Sequence, residues 1–161
     1  MSDLTAPQIF DLIQRQKNSA GFERVELAGK DFSGLEIKGL KLNNANLSGS
    51  DFTSATLIDC ELTHCTLAGA SFGEAQMEGC SLVGSRLSAV DFNGTDLKRV
   101  NFKNADASGV DFSGADMTGA IFEQTCLIGA MFKGTVMPDG RPYSAAAHTE
   151  LLQNKWGKKL S

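Results

Sequence analysis

Six phenylalanines recur through this chain at a constant interval of twenty residues. They are Phe32, Phe52, Phe72, Phe92, Phe112 and Phe132. A fixed period of this length is typical of proteins in which one short structural unit is stacked on itself many times. The chain has 161 residues, which is enough for one domain with a substantial core. The spacing therefore predicts a single domain built from stacked coils.

A shorter period of five residues lies inside the longer one. Every fifth residue from Phe22 to Met137 is large and apolar, and Ala107 is the one exception. The residue two places before each of these centres is mostly small or apolar, and Asp, Asn or Glu often comes directly before the centre. This period matches neither a helix, with about 3.6 residues per turn, nor a strand, with its repeat of about two. It fits a chain that turns a corner every five residues and directs the centre and the residue two before it inwards.

Individual units of the array resemble the A(D/N)LXX consensus of the pentapeptide-repeat family. The clearest units are 45–49 (Ala-Asn-Leu-Ser-Gly), 110–114 (Val-Asp-Phe-Ser-Gly) and 115–119 (Ala-Asp-Met-Thr-Gly). The resemblance covers residues 20–139 and implies an all-β fold, the right-handed quadrilateral parallel β-helix of this family. Six coils stacked about 4.8 Å apart would form a rod roughly 29 Å long.

The two ends of the chain read as helices. Thr5 and Gln8 form a capping-box pattern at the start of a short amphipathic helix. Residues 1–19 are therefore expected to be an N-terminal capping helix, residues 20–139 the β-helix, and residues 140–161 a C-terminal turn and helix. The last helix carries Leu151, Leu152 and Trp156.

Apolar residues replace polar ones in the last coil. The outward position before the centre is occupied there by Ile121, Cys126, Met131 and Val136. Such a run predicts a surface that is covered, either by the C-terminal helix as a cap or by a second subunit. The resemblance implies the second alternative as well, because some members of the family pair through their C-terminal ends.

No constellation of residues predicts catalysis, a cofactor or a metal site. Cys60 and Cys80 are twenty residues apart in the same inward position, so they are expected to stack within disulfide range. Their thiols should nevertheless stay reduced in a cytosolic protein. The two histidines, His64 and His148, lie far apart in the sequence, and a solid core leaves no pocket. We therefore expect a non-catalytic protein without cofactor or metal.

Charge and hydropathy restrict the partners. The net charge of −4 and the sequence pI near 5.1 disfavour direct binding of nucleic acid, which needs clustered basic residues. The start of the chain lacks the pattern of a signal peptide, and no segment is long and apolar enough for a membrane span. These features predict a cytoplasmic protein of bacterial type.

Acidic residues concentrate on two adjacent sides of the expected rod. The side of the phenylalanine column carries Asp31, Asp51, Glu74, Asp91 and Asp111. The next side carries Glu36, Asp59, Glu78, Asp96, Asp116 and Asp139. The bases on these two sides are Lys30, Lys38, Lys98, Arg99 and Lys133. The flat outer faces are therefore expected to dock a protein partner that the sequence does not identify.

The resemblance suggests an alternative function, because some members of the family are similar to B-form DNA in size and charge. Such proteins bind DNA gyrase or a related topoisomerase, and they inhibit it or protect it from quinolones. Duplex DNA carries about one charge per 1.7 Å, or roughly 17 charges along a rod of this length. The two acidic sides have eleven acids and five bases, which is about a third of that density. Docking of an unspecified protein partner is therefore the first hypothesis and gyrase binding the alternative.

Overall fold

A computed structural model describes Thr5, Gln8, Ile9, Asp11 and residues 24–152, with only the backbone of residues 150–152. Every fifth residue from Glu26 to Asp116 forms a parallel β-bridge with the residue twenty positions later. The bridges fall into four columns, so each coil has four sides and twenty residues. Each side contributes one bridged residue and no extended strand, because the next corner follows at once. The structure is thus a β-helical stack of coils.

Three backbone hydrogen bonds join each side to the coils next to it. On the side centred at Leu47, the N–H of Leu47 donates to the carbonyl of Thr66 at 2.7 Å, and the N–H of Gly49 donates to Ala68 at 2.9 Å. The N–H of Thr66 donates back to Ala45 at 3.0 Å. The same pattern recurs around the coils, and we call it the ladder. It pairs backbone groups that would otherwise be buried without partners.

In the described units up to the one centred at Phe132, the residue two places after the centre turns the corner in the left-handed region of φ. Gly49, for example, has a φ of 65°, and the N–H of Ser50 closes the turn on the carbonyl of Leu47 at 3.1 Å. This sign of φ is that of the third residue of a type II turn, which favours glycine. Among the described residues, ten other than glycine adopt the same conformation, and His64 and Ala89 are two of them.

Ala89 interrupts a column of corner glycines and supplies a test of this geometry. Its φ is 57°, whereas Gly69 and Gly109 hold the same position in the adjacent coils. We expect Ala89→Gly to raise the free energy of unfolding by about 0.5–1 kcal/mol, because the left-handed region is strained for alanine. Gly109→Ala, at a φ of 67°, should lower it by a similar amount. Urea denaturation measures both, and a loss of stability in Ala89→Gly would contradict the assignment.

The six phenylalanines form one stacked column in the core. Ring centroids are 4.6 Å apart for Phe32 and Phe52 and 4.7 Å apart for Phe52 and Phe72, and both pairs lie within 3° of parallel. The spacing widens to 5.2 Å with a tilt of 32° between Phe72 and Phe92. All six side chains are at most 4% exposed. The column predicted from the sequence is therefore confirmed as the core.

A second set of stacked rings, Phe102 and Phe122, lies in the coils around Ala107. Phe102 stands in the column opposite the stacked phenylalanines, after Leu42, Leu62 and Leu82. Its ring meets Phe92 and Phe112 edge to face. Ala107 itself is fully buried. The larger Phe102 ring therefore occupies core volume in the coil where the side chain of residue 107 is small.

The chain reverses at the C-terminal end of the stack. Val136 forms an antiparallel bridge with Pro142, and the N–H of Gly140 closes the turn on the carbonyl of Met137 at 2.8 Å. Tyr143 then stacks on Phe132 with ring centroids 5.7 Å apart. A helix, Ala145–Leu152, begins directly afterwards. The phenylalanine column thus continues through an aromatic residue outside the repeats.

His148 and Ser144 attach the last helix to this end. The His148 ring meets Phe132 and Tyr143 edge to face, and its Nδ1 lies 3.2 Å from the Tyr143 hydroxyl. Ser144 caps the helix, because its Oγ accepts from the N–H of Ala147 at 3.1 Å. Ala147 is 4% exposed and joins the core cluster. Trp156 and the rest of the expected helix lie outside the described residues.

The described residues of the N-terminal segment fit the capping box expected there. Gln8, Ile9 and Asp11 are helical, and Gln8 Oε1 accepts from the N–H of Thr5 at 2.8 Å. Ile9 is 2% exposed and belongs to the core cluster. The other apolar residues expected on this helix and Phe22 lie outside the described residues.

Candidate functional site

A row of four aspartates marks the outside of the side that holds the phenylalanine column. Asp31 bridges to Asp51 and Asp91 bridges to Asp111, with Ser71 between the two pairs. Asp31, Asp51 and Asp91 are exposed, and Asp111 is partly buried. We call Asp31, Asp51, Asp91 and Asp111 the acidic row. The parallel bridges hold each pair on adjacent coils, and the coil of Ser71 separates the two pairs in the same register.

Each member of the acidic row uses one carboxylate oxygen to support its own corner. Asp51 Oδ1 accepts from the N–H of Thr53 at 2.9 Å, and Asp91 Oδ1 accepts from the N–H of Asn93 at 2.8 Å. Asp31 accepts from both the backbone and the hydroxyl of Ser33, and these bonds lower the pKa of its carboxyl. These local bonds leave the second carboxylate oxygen of Asp51 and Asp91 without a hydrogen bond from the described residues.

The local hydrogen bonds alone do not require a negative charge. Asn101 makes the same bond in the same position of another unit, because its Oδ1 accepts from the N–H of Lys103 at 3.0 Å. Asn46 does so with Ser48 at 3.2 Å. A neutral amide therefore accepts the backbone hydrogen bond at the corner as a carboxylate does. Like charges on adjacent bridged residues also repel each other, so the charge of the acidic row is a cost to the fold.

The neighbouring acidic side differs from the acidic row because bases on the same side of the rod form ion pairs with three of its acids. Lys98 Nζ lies 3.3 Å from Asp96 and 3.5 Å from Asp116, and these contacts, led by the hydrogen bond to Asp96, raise the pKa of Lys98. Arg99 pairs with Glu78 at 2.8 Å. Within the described part of the chain, no ion pair involves the four members of the acidic row.

The remaining members of that side are spread along it. Glu36 is exposed near the N-terminal end of the column in which Asp96 and Asp116 stand. Asp59 lies at a corner with its carboxylate against Gly79. Asp139 pairs with Arg141, chiefly through a hydrogen bond that lowers the pKa of the Asp139 carboxyl. Each acidic side has a net charge of −3 in the sequence, because Lys30 and Lys133 belong to the first side and Lys38, Lys98 and Arg99 to the second. The two sides nevertheless present different surfaces.

The apolar residues of the last coil are placed on several sides of the rod. Ile121 is 46% exposed and Met131 is 50% exposed, on opposite sides of the coil. Ile128 lies at a corner and is 51% exposed. The sequence analysis did not single out this residue. Val136 is partly buried, and its backbone bridges to Pro142. The side chains of Leu151 and Leu152 lie outside the described part of the structure.

The sequence analysis did not recognise that serine and threonine also occupy the inward position two residues before the centre. Thr95 is 1% exposed, and its hydroxyl donates to the carbonyl of Phe72 at 2.8 Å. Four other buried hydroxyls bond in the same way, those of Ser50, Ser85, Thr125 and Thr135. The five-residue spacing could have identified them, because each occupies the position otherwise filled by alanine, valine or cysteine.

The cysteines and histidines form no metal cluster among the described residues. All four cysteines are free thiols. Burial raises the pKa of Cys65 to about 11, and contact with Cys60, together with burial, raises the pKa of Cys80. Protonated thiols of this kind are poor nucleophiles and poor ligands. His64 is exposed at a corner, where its ring lies against Gly84.

No helix in the described ranges has the length and hydropathy needed to cross a bilayer.

Several solved structures are similar to this chain. A pentapeptide-repeat protein from the thylakoid lumen of Arabidopsis thaliana is 25% identical, with 78% of this chain and 73% of that chain covered and a TM-score of 0.38. A pentapeptide-repeat protein from the cyanobacterium Cyanothece is 21% identical, with 80% and 97% covered and a TM-score of 0.30. The plasmid-mediated fluoroquinolone resistance protein QnrB1 is 17% identical, with 70% and 71% covered and a TM-score of 0.38. No curated protein matches the sequence.

Two family models match the repeat array. The model described as a pentapeptide repeat region matches residues 55–132. The model described as pentapeptide repeats in eight copies matches residues 22–53 and 31–67. Together the matches extend from residue 22 to residue 132, which is well over half of the chain and coincides with the bridged coils. The chain belongs to the pentapeptide-repeat family.

Proposed function

We propose that this protein is a non-catalytic scaffold that docks a protein partner on the acidic row. The observation that carries the proposal is that Asp31, Asp51, Asp91 and Asp111 keep a charge that their corner does not need and that no described base neutralises. Each coil holds its aspartate by backbone bonds, so the carboxylates are ordered before binding. Docking of a partner with basic side chains along an extended surface would therefore cost the scaffold little conformational entropy.

The proposed architecture behind this surface is the right-handed quadrilateral β-helix of the family over residues 20–139. The four bridge columns and the twenty-residue coil support it. We also propose that residues 1–19 and 140–161 cap its two ends. Burial of Ile9 at one end, and the stacking of Tyr143 on Phe132 at the other, support this assignment.

Two matched double variants test the docking surface. Asp91→Asn with Asp111→Asn removes two charges from the acidic row and retains an acceptor for each corner. We expect binding of the captured partner to weaken roughly twofold to thirtyfold, since exposed ion pairs contribute about 0.2–1 kcal/mol each. The partner is captured from a lysate of the source organism with the immobilised chain, and its affinity is then measured by calorimetry.

The control is Asp96→Asn with Asp116→Asn, which changes the charge equally and also retains the corner acceptors. These two aspartates are bridged on adjacent coils like the first pair, but they already face Lys98. Binding by the control should stay near that of the unchanged protein. Equal losses in both double variants would show that general charge, and not the acidic row, attracts the partner.

The second candidate is that the acidic row replaces DNA on a type II topoisomerase. The alignment of its carboxylates in one bridge column along the rod favours this candidate. The low net charge density of the two acidic sides, to which the bases Lys98 and Arg99 contribute, counts against it. A DNA gyrase supercoiling assay, with and without a quinolone, separates the two functions. No effect at micromolar protein would remove the second candidate and leave the first.

A further inference from the structure

One corner of the acidic side holds two residues that are able to react with each other. Asn93 and Gly94 are the only Asn-Gly pair in the sequence, and both are exposed. Because glycine has no side chain, its backbone nitrogen meets little steric hindrance in attacking the side-chain carbonyl of a preceding asparagine. Water, the second reactant, reaches an exposed corner freely.

We propose that Asn93 is a site of covalent self-modification whose rate is controlled by the hydrogen-bonded ladder. The nitrogen of Gly94 loses its proton and bonds to Cγ of Asn93, and the bond from Cγ to Nδ2 breaks so that ammonia leaves with that proton. The product is a cyclic succinimide. Water then adds to one of its two carbonyls and opens the ring, giving an aspartyl or an isoaspartyl residue at position 93. No oxidant or reductant takes part.

The ladder hydrogen-bonds the backbone groups of the reacting peptide unit in the folded chain. The N–H of Gly94 donates to the carbonyl of Ser113 at 2.9 Å, so the attacking nitrogen is bonded to the next coil. The carbonyl of Asn93 accepts from the N–H of Glu74 at 3.0 Å, which ties the same peptide unit to the previous coil. Cyclisation therefore requires the corner to detach from the coils on both sides. Opening a ladder in the middle of the stack costs free energy, and this cost slows the reaction.

The two products would change the acidic side differently. An aspartyl residue adds a carboxylate two positions after Asp91. An isoaspartyl residue lengthens the main chain by one methylene and moves the N–H of Gly94 away from the carbonyl of Ser113. The first product alters charge and keeps the corner, whereas the second breaks the five-residue spacing on which the fold depends.

The only Asp-Gly pair, Asp139 and Gly140, provides an internal comparison. Asp139 accepts from the backbone N–H of Arg141 at 3.0 Å and pairs with its guanidinium. An ionised carboxylate is a poor electrophile, so the same ring closure is disfavoured there by charge. The reaction should therefore appear at position 93 rather than at position 139.

The experiment incubates the full chain at slightly alkaline pH, folded in buffer and unfolded in urea, and measures conversion of Asn93 by peptide mass spectrometry. Conversion should be at least about tenfold slower in the folded chain. Phe92→Leu, which loosens the core beside the corner, should move the rate in buffer towards the rate in urea. Asn93→Ser, which installs the residue found at position 113, should abolish the signal. Equal rates in buffer and urea would overturn control by the ladder, and no conversion in urea would overturn the site itself.

Discussion

Replacing Phe92 with alanine is expected to lower the free energy of unfolding by about 3–5 kcal/mol, as large-to-small substitutions of buried aromatic residues do. Phe92 is fully buried and lies in the middle of the stacked column. Its ring is 5.2 Å from that of Phe72, 5.6 Å from that of Phe112 and 6.0 Å from that of Phe102. The free energy of unfolding falls because apolar surface is no longer buried and because a cavity is left in the core. Hydrogen bonds between the coils hold them in place, so the coils cannot easily close that cavity.

Phe92→Leu is the matched control, because leucine fills the central position in many other units. It should cost less than the alanine variant, since most of the volume is retained. Phe72→Ala should also cost about 3–5 kcal/mol. Urea denaturation with thermal unfolding measures all three variants. Melting temperatures equal to that of the unchanged protein would show that the column has been misassigned.

An equally large effect is expected from proline at an exposed position. Arg86→Pro should destabilise the protein by about 3 kcal/mol or more, although the side chain of Arg86 is in solvent. The N–H of Arg86 donates to the carbonyl of Cys65 at 2.9 Å, and proline has no N–H to replace it. The proline ring would also press against the preceding coil, which contains Cys65. Circular dichroism during urea denaturation measures the loss.

Ser88→Pro is the contrasting variant on the same turn. The N–H of Ser88 has no acceptor among the described residues, and Pro138 occupies the equivalent corner position naturally. Its effect should stay within about 1 kcal/mol in either direction. Arg86→Ala separates loss of the charged side chain from loss of the backbone donor. Equal destabilisation by the two proline variants would contradict the assignment of the ladder donors.

The coil and its core could be predicted from the sequence because both follow from one spacing. A residue five positions from Phe92 must face inwards if the chain turns at every fifth residue, and a residue twenty positions away must stack on it. Burial of Leu97 and Phe112 agrees with both rules. The corner position of Gly94 follows from the same count, and its φ of 66° agrees. Periodicity thus determined backbone and core together.

The electrostatic character of the faces could not be predicted in the same way. Counting charges by side gave two equal acidic faces, but Lys98 reaches Asp96 and Asp116, whereas no ion pair identified among the described residues involves the acidic row. Which carboxylate a long side chain reaches depends on its rotamer and on the residues of the next coil. The aromatic stacking of Tyr143 was also missed, because Tyr143 follows the repeats and does not obey their spacing.

The antiparallel bridge between Val136 and Pro142 has a consequence for how such a rod acquires its length. The chain turns back on its own last coil there, and Pro142 has no N–H to offer to a further parallel coil. The repeats themselves are interchangeable along the axis, since each coil meets the next through the same three bonds per side. Length is then set by how many coils precede the reversal. A gene that gained or lost one block of twenty codons could change the reach of the rod and leave both of its ends intact.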